Sequence, residues 1–202
     1  MTSTTTKAFG EAAVRQILPG AIIMRPSVVF GPEDQFFNRF AAMARFMPAL
    51  PLIGGETKLQ PVFAGDVATA VALAAEDKAT PGTTYELGGP EIATLRRIVT
   101  FVLKVTRRRR RLIPISFGRA RSLAFVTEII RKLSLGLFPE ILTITSDQVK
   151  LLRGDNIVSP QAEAEWRTLR GLGIAPEPFE TLVPSYLYRY RKTGQFAGTR
   201  EF

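Results

Sequence analysis

The sequence contains no histidine and no cysteine. Those absences exclude a histidine-containing catalytic triad, a His- or Cys-ligated zinc, a thiol nucleophile and a disulfide. Any chemistry therefore rests on Lys, Tyr, Ser, Asp or Glu, and the lack of disulfides fits a reducing compartment. Long apolar runs are also missing. Arg, Pro or Gly interrupts each one well short of the roughly 20 residues that span a bilayer. The opening MTSTTT has no apolar segment of the kind a cleaved secretory signal needs, so the expectation is a soluble protein without one.

What is present is enough apolar material for a substantial core: 46% of 202 residues are hydrophobic and 22% are charged. The length fits one domain, or part of one, with an appendage. The net charge of +9 is local. Residues 1–100 hold 9 basic and 9 acidic side chains, while Lys104 to Lys132 holds 10 basic groups and one acid, Glu128.

The first hundred residues alternate helix and strand signals. Lys7 to Leu18 reads as a helix, with Phe9, Ala13 and Ile17 four apart, and it stops at Pro19-Gly20. Ala21 to Met24 reads as a strand buried on both faces, running into a loop, RPSVVFGP. Phe36 to Met47 is a second helix, Pro48 to Gly55 a turn region, and Pro61 to Phe63 a short strand. Asp66 is placed to cap a helix through Ala75. Thr83 to Leu87 is a strand, Gly88-Gly89 a turn like Gly54-Gly55, and Thr94 the cap of a helix to about Thr106. Leu112 to Phe117 adds a strand. Pro160 to Leu172 and Pro178 to about Arg191 read as helices, and Leu123, Val126, Ile130 and Leu133 make one apolar helical face. The alternation predicts an α/β fold.

RPSVVFGPEDQFFNRF, LQPVFAGDVATAV, YELGGPE and LGIAPEPFETLVPSYLYRYR, in that order and spacing, resemble the carboxyl-terminal portion of the extended and atypical short-chain dehydrogenases. The similarity is greatest to the branch that contains subunit nine of the respiratory complex I alpha subcomplex. It implies the later part of a Rossmann-like NAD(P)-binding fold with its amino-terminal strands missing. The expected division is a partial Rossmann-like domain over residues 1–117 and a mostly helical basic extension over residues 118–202. A glycine-rich phosphate turn between a first strand and helix is not found in this sequence, and a shortened chain would expose a sheet edge.

The resemblance implies NAD or NADP as cofactor. It places Lys7 at the nicotinamide ribose and Pro26, Ser27, Val28 and Val29 along the nicotinamide. The family's catalytic tyrosine falls four residues before that lysine, where this chain has Ser3. Serine has no ionisation near neutral pH, so no catalytic residue is assigned. Val28 stands where the sugar-nucleotide enzymes usually have asparagine, which removes an amide from that role. Asp66 reads as a helix cap rather than a catalytic carboxylate.

The resemblance thus implies a non-catalytic accessory or assembly protein related to respiratory complex I. It would be cytoplasmic and peripheral at a bacterial inner membrane, or on the matrix side of a mitochondrial one. The alternatives are an NAD(P)-dependent oxidoreductase or epimerase/dehydratase, and a basic adaptor without cofactor. Arg107 to Arg111 has no interleaved aromatics for base stacking, which disfavours nucleic acid. Basic charge beside the amphipathic segment Arg119 to Leu137 favours a membrane surface or complex I subunits as the partner of Lys104 to Lys132.

Overall fold

A proline and a glycine stop the first helix where their backbone chemistry requires it: the helix ends at Ile17, and Pro19-Gly20 turn the chain into the first strand. The structure, a computed structural model, describes residues 3–120 and 146–192. Its elements in chain order are α1 (Ser3–Ile17), β1 (Ile23–Pro26), β2 (Val29–Phe30), α2 (Phe37–Phe46), β3 (Ala49–Ile53), β4 (Lys58–Leu59), β5 (Val62–Phe63) and α3 (Ala64–Ala75). There follow β6 (Thr84–Leu87), β7 (Ala93–Thr94), α4 (Leu95–Val105), β8 (Arg111–Ile115), α5 (Ser146–Leu151), α6 (Pro160–Ala164), α7 (Phe179–Leu182) and α8 (Pro184–Leu187).

The chain forms two compact units, each built from three stretches. The first is Met1–Gly31, Gln60–Ile92 and Asn156–Phe179; the second is Pro32–Leu59, Ala93–Asp155 and Glu180–Phe202. Residue 117 falls inside the second unit, and Asn156–Phe179 returns to the first.

In the first unit β1 runs parallel to β6, Ile23 opposite Thr84 and Pro26 opposite Leu87. β2 runs parallel to β5, Val29 opposite Val62. Val62, Ala70, Tyr85, Leu87 and Leu169 are buried at its centre, with Ile22, Met24 and Val67 packed against them. Each large apolar side chain so buried contributes about 1.5–3 kcal/mol.

In the second unit β3 runs parallel to β8 and β4 antiparallel to β7. Thr94 caps α4 as expected, its hydroxyl accepting the Arg97 N–H at 3.2 Å. The face of α4 carrying Leu95, Ile98, Val99 and Val102 is buried, and α2 packs against this helix.

Several elements differ from the sequence reading. The first strand is shifted to Ile23–Pro26 and is half-buried at Ile23 and Met24 but exposed at Arg25 and Pro26. Pairing with β6 carries it past the apolar run. The Phe9–Ile17 side of α1 faces solvent, with Phe9 61% and Ile17 86% exposed. Pro48 to Gly55 contains β3, despite Pro51, because each strand of a two-stranded pair has one side on which no N–H is needed. Pro160 to Leu172 is broken after Ala164, where Trp166 takes a left-handed φ of 56°. The stretch from Pro178 divides at Pro184, which starts α8.

Asp66 is not the helix cap. It lies inside the first turn of α3, is 8% exposed, and its Oδ2 accepts the Glu177 N–H at 2.9 Å. The helical face from Leu123 to Leu133, and with it the part of the Arg119–Leu137 segment past Ala120, lies outside the described residues. No helix among the described residues is long and apolar enough to cross a membrane.

Candidate functional site

Two contacts fix α1 against the first unit's strands. Arg15 donates to Thr84 Oγ1, beside the rung where Ile23 faces Thr84. One helical turn earlier, Glu11 accepts from Arg25 Nε at 3.1 Å, two strand residues further on. Four helix residues rise about 6 Å and two strand residues about 6.6 Å, so helix and strand run antiparallel in step. The hydrogen bonds from Arg25, helped by the charges of Arg25 and Arg15, hold the Glu11 carboxyl below the usual carboxylate range; partial burial acts the other way.

At this end of β1 the chain encloses a small polar pocket of about 270 Å³. Its walls are Arg25, Pro26 and Ser27, Glu86 and Leu87 from β6, and the segment Asn156 to Ser159. That volume lies near the low end for small-ligand clefts. Long-range hydrogen bonds hold the segment. Ser27 Oγ donates to the Asn156 carbonyl at 2.7 Å, and the Ser159 N–H donates to Glu86 Oε2 at 2.7 Å. Ser159 also caps α6, accepting the Ala162 N–H at 3.2 Å.

Beneath it lies Gln60, only 7% exposed. Its Oε1 accepts the Val158 N–H at 2.8 Å and its Nε2 donates to the Gly89 carbonyl at 2.8 Å. Gly88 and Gly89 are close-approach positions rather than simple turn residues. A Cβ at Gly89 would stand 1.9 Å from the Pro61 carbonyl oxygen, and one at Gly88 2.5 Å from the Gln60 side chain.

Of the residues singled out in the sequence, Pro26 and Ser27 line the pocket, and Lys7 is exposed on α1. Val28 and Val29 go to the sheet instead: the Val28 carbonyl accepts the Val62 N–H at 2.9 Å, and Val29 faces Val62. The Ser27 N–H is also committed, donating to the Leu87 carbonyl at 2.9 Å. Arg25, Gln60, Glu86 and the Asn156–Ser159 segment were not singled out. The one available signal was a glutamine between Leu59 and Pro61 in an otherwise apolar stretch.

Chemically the pocket is suited to hydrogen bonding. Its one carboxylate, Glu86, already accepts a backbone N–H. No cluster of three His, Cys, Asp or Glu side chains occurs among the described residues.

No family model matches the chain. Among solved structures it is similar to the UDP-glucose 4-epimerase of Thermus thermophilus in complex with NAD, with a TM-score of 0.58 and 16% identity over 92% of this chain and 51% of that one. The fold is therefore that of the Rossmann-like epimerase and dehydratase class of short-chain dehydrogenases. In sequence the chain is similar to the NADH dehydrogenase [ubiquinone] 1 alpha subcomplex subunit 9 proteins of mitochondria. It is 34% identical to the protein of Arabidopsis thaliana, over 96% of this chain and 48% of the relative, and 34% identical to that of Rattus norvegicus, over 94% and 47%. The chain thus spans about half the length of these relatives.

Proposed function

We propose that this chain is a NAD(P)-binding-type, non-catalytic accessory or assembly component of respiratory complex I, peripheral at the inner membrane. The observation that carries the proposal is the 34% identity to complex I alpha subcomplex subunit 9, sustained over 96% of the chain. The geometry supports it at the cofactor end. Lys7, exposed on α1 one turn before the Glu11 that ties the helix to β1, would serve the ribose of a nicotinamide nucleotide. The backbone of Ser27 and Val28 fits less well, since one N–H and one carbonyl there are committed to the chain's own hydrogen bonds. A nicotinamide supplies hydride chemistry when bound. With Ser3 four residues before Lys7, that position offers no phenol to move the accompanying proton.

Two measurements test the reading. Tagged protein expressed in its own cells should recover NADH:ubiquinone oxidoreductase activity from detergent-solubilised membranes, and recovery no greater than from an untagged strain would overturn the complex I assignment. Calorimetric titration with NADH and NADPH should give binding that weakens about tenfold in Lys7→Ala, as loss of one charge-assisted hydrogen bond predicts. Steady turnover of NADH or NADPH with a carbonyl substrate would contradict the non-catalytic role.

A further inference from the structure

The five arginines after α4 fold into a site of their own within the second unit. Arg107 takes a left-handed φ of 52°, a conformation that glycine adopts more easily, and reverses the chain at the end of the helix. The reversal sets Arg108, Arg109, Arg110 and Arg111 with Pro48, Ala49 and Leu103 around an open cleft of about 720 Å³. Two of the guanidinium groups are braced by neutral acceptors: Arg108 Nε donates to the Tyr190 carbonyl at 3.0 Å, and Arg110 Nε to the Ala44 carbonyl at 2.9 Å. Each brace uses one of five N–H donors.

Among the described residues, nothing acidic offsets the charge in this cleft. No carboxylate pairs with Arg45 or with Arg108 to Arg111 among the described residues. The acidity of Arg108 reports the same crowding, its pKa drawn below the ordinary arginine value by burial first and then by the charges of Arg110 and Arg45. Gathering like charges opposes folding unless an anion offsets the repulsion.

Two exposed apolar side chains lie two residues along the chain from lining residues of the cleft. Phe46, at the end of α2 and two residues before Pro48, is 70% exposed with the Arg45 guanidinium 5.4 Å from its ring centre. Ile113, on β8 two residues past Arg111, is 52% exposed. Exposed apolar groups beside unpaired cations match the boundary of an anionic bilayer, where phosphates meet acyl chains. A nucleic acid would require a row of aromatic faces for stacking, and the run Arg107 to Arg111 holds no aromatic residue.

We propose that the Arg108–Arg111 cleft seats the phosphate of an anionic phospholipid at a bilayer surface, with Phe46 entering the headgroup layer. This deepens the inner-membrane placement above by giving it a contact site, and it fails separately from the complex I and cofactor readings.

The test is co-flotation of the full chain with phosphatidylcholine vesicles containing one-fifth cardiolipin, against vesicles of phosphatidylcholine alone. Among the described residues neither the Arg109 nor the Arg111 side chain braces the fold, so Arg109→Ala/Arg111→Ala should leave the fold and the NADH titration unchanged while weakening flotation about 30-fold. Phe46→Ser should weaken it several-fold with no change in charge. The double variant Lys78→Ala/Arg170→Ala, in the first unit, removes the same charge and should leave flotation within twofold of wild type. Four results would overturn the proposal: equal flotation on neutral vesicles, equal loss in the two double variants, full displacement by millimolar tripolyphosphate, or tighter binding of a 30-nucleotide RNA than of the anionic vesicles.

Discussion

The carboxylate of Glu11 grips the guanidinium of Arg25 through both Nε and Nη2, fastening the middle of α1 to the exposed end of β1. The pair is open to solvent, with Arg25 52% and Glu11 25% exposed, so its contribution is below about 1 kcal/mol. Its value is positional, because it sets which turn of the helix stands above the pocket.

Glu11→Gln should lower the urea midpoint slightly at pH 7, and by progressively less as the pH falls into the acid range. The folded-state pKa of Glu11 is depressed, chiefly by the hydrogen bonds from Arg25. The stabilisation is therefore present above the unfolded carboxyl pKa of about 4.3 and is lost as pH falls through the folded value. A gap between the two proteins that did not narrow as the pH fell would separate the effect from ionisation.

Gln60→Leu should destabilise the protein by about 2–5 kcal/mol, because it leaves the buried Val158 N–H and Gly89 carbonyl without their partner. Chemical denaturation measures the loss. Hydrogen exchange at Val158 should accelerate even where the protein remains folded, and unchanged protection there would refute the assigned bond.

Two glycine-to-alanine changes should have opposite signs. Gly89→Ala places a methyl 1.9 Å from a backbone oxygen and should cost about 3 kcal/mol or more. Gly10→Ala, inside α1 with nothing within 4 Å of the added carbon, should raise stability by about 1 kcal/mol through helix propensity. Thermal melts of the two variants decide both.

Tyr186→Phe should destabilise by about 1–2 kcal/mol, since the phenol donates to Asp34 Oδ2 at 2.7 Å while Asp34 also receives the Asn38 N–H at 3.3 Å at the start of α2. Burial first, then the hydrogen bond and charge of Asp34, push the Tyr186 pKa well above the ordinary tyrosine range. Its stabilisation is complete below the unfolded pKa of about 10 and is lost progressively as pH rises beyond it. The native wild type and the variant should accordingly show the same tyrosinate absorbance rise up to the onset of alkaline unfolding.

Much of the fold was legible because local signals and tertiary structure agree. Thr94 caps the helix it precedes, Pro19-Gly20 ends the first helix, and Val62-Phe63 is a strand. The elements that escaped are those in which a distant partner decides. β3 carries a proline and is held by β8, about sixty residues later in the chain, while the Asp66 carboxylate bonds Glu177, 111 residues away, rather than its own helix. The site divides on the same line. Pro26 and Ser27 lie in a recognisable motif, but Arg25, Gln60 and Glu86 join the pocket through contacts that no local pattern encodes.

The bonds that close the pocket join residues 129, 98 and 73 positions apart in the chain. During synthesis the segment Asn156 to Ser159 is among the last parts of the first unit to be made, so Ser27, Gln60 and Glu86 must wait for it. Loop closures of that length slow folding and leave apolar surface bare on the nascent chain. A ribosome paused before codon 156 would therefore hold a protein with its first helix and strands but no pocket, and chaperone engagement should be greatest at that stage.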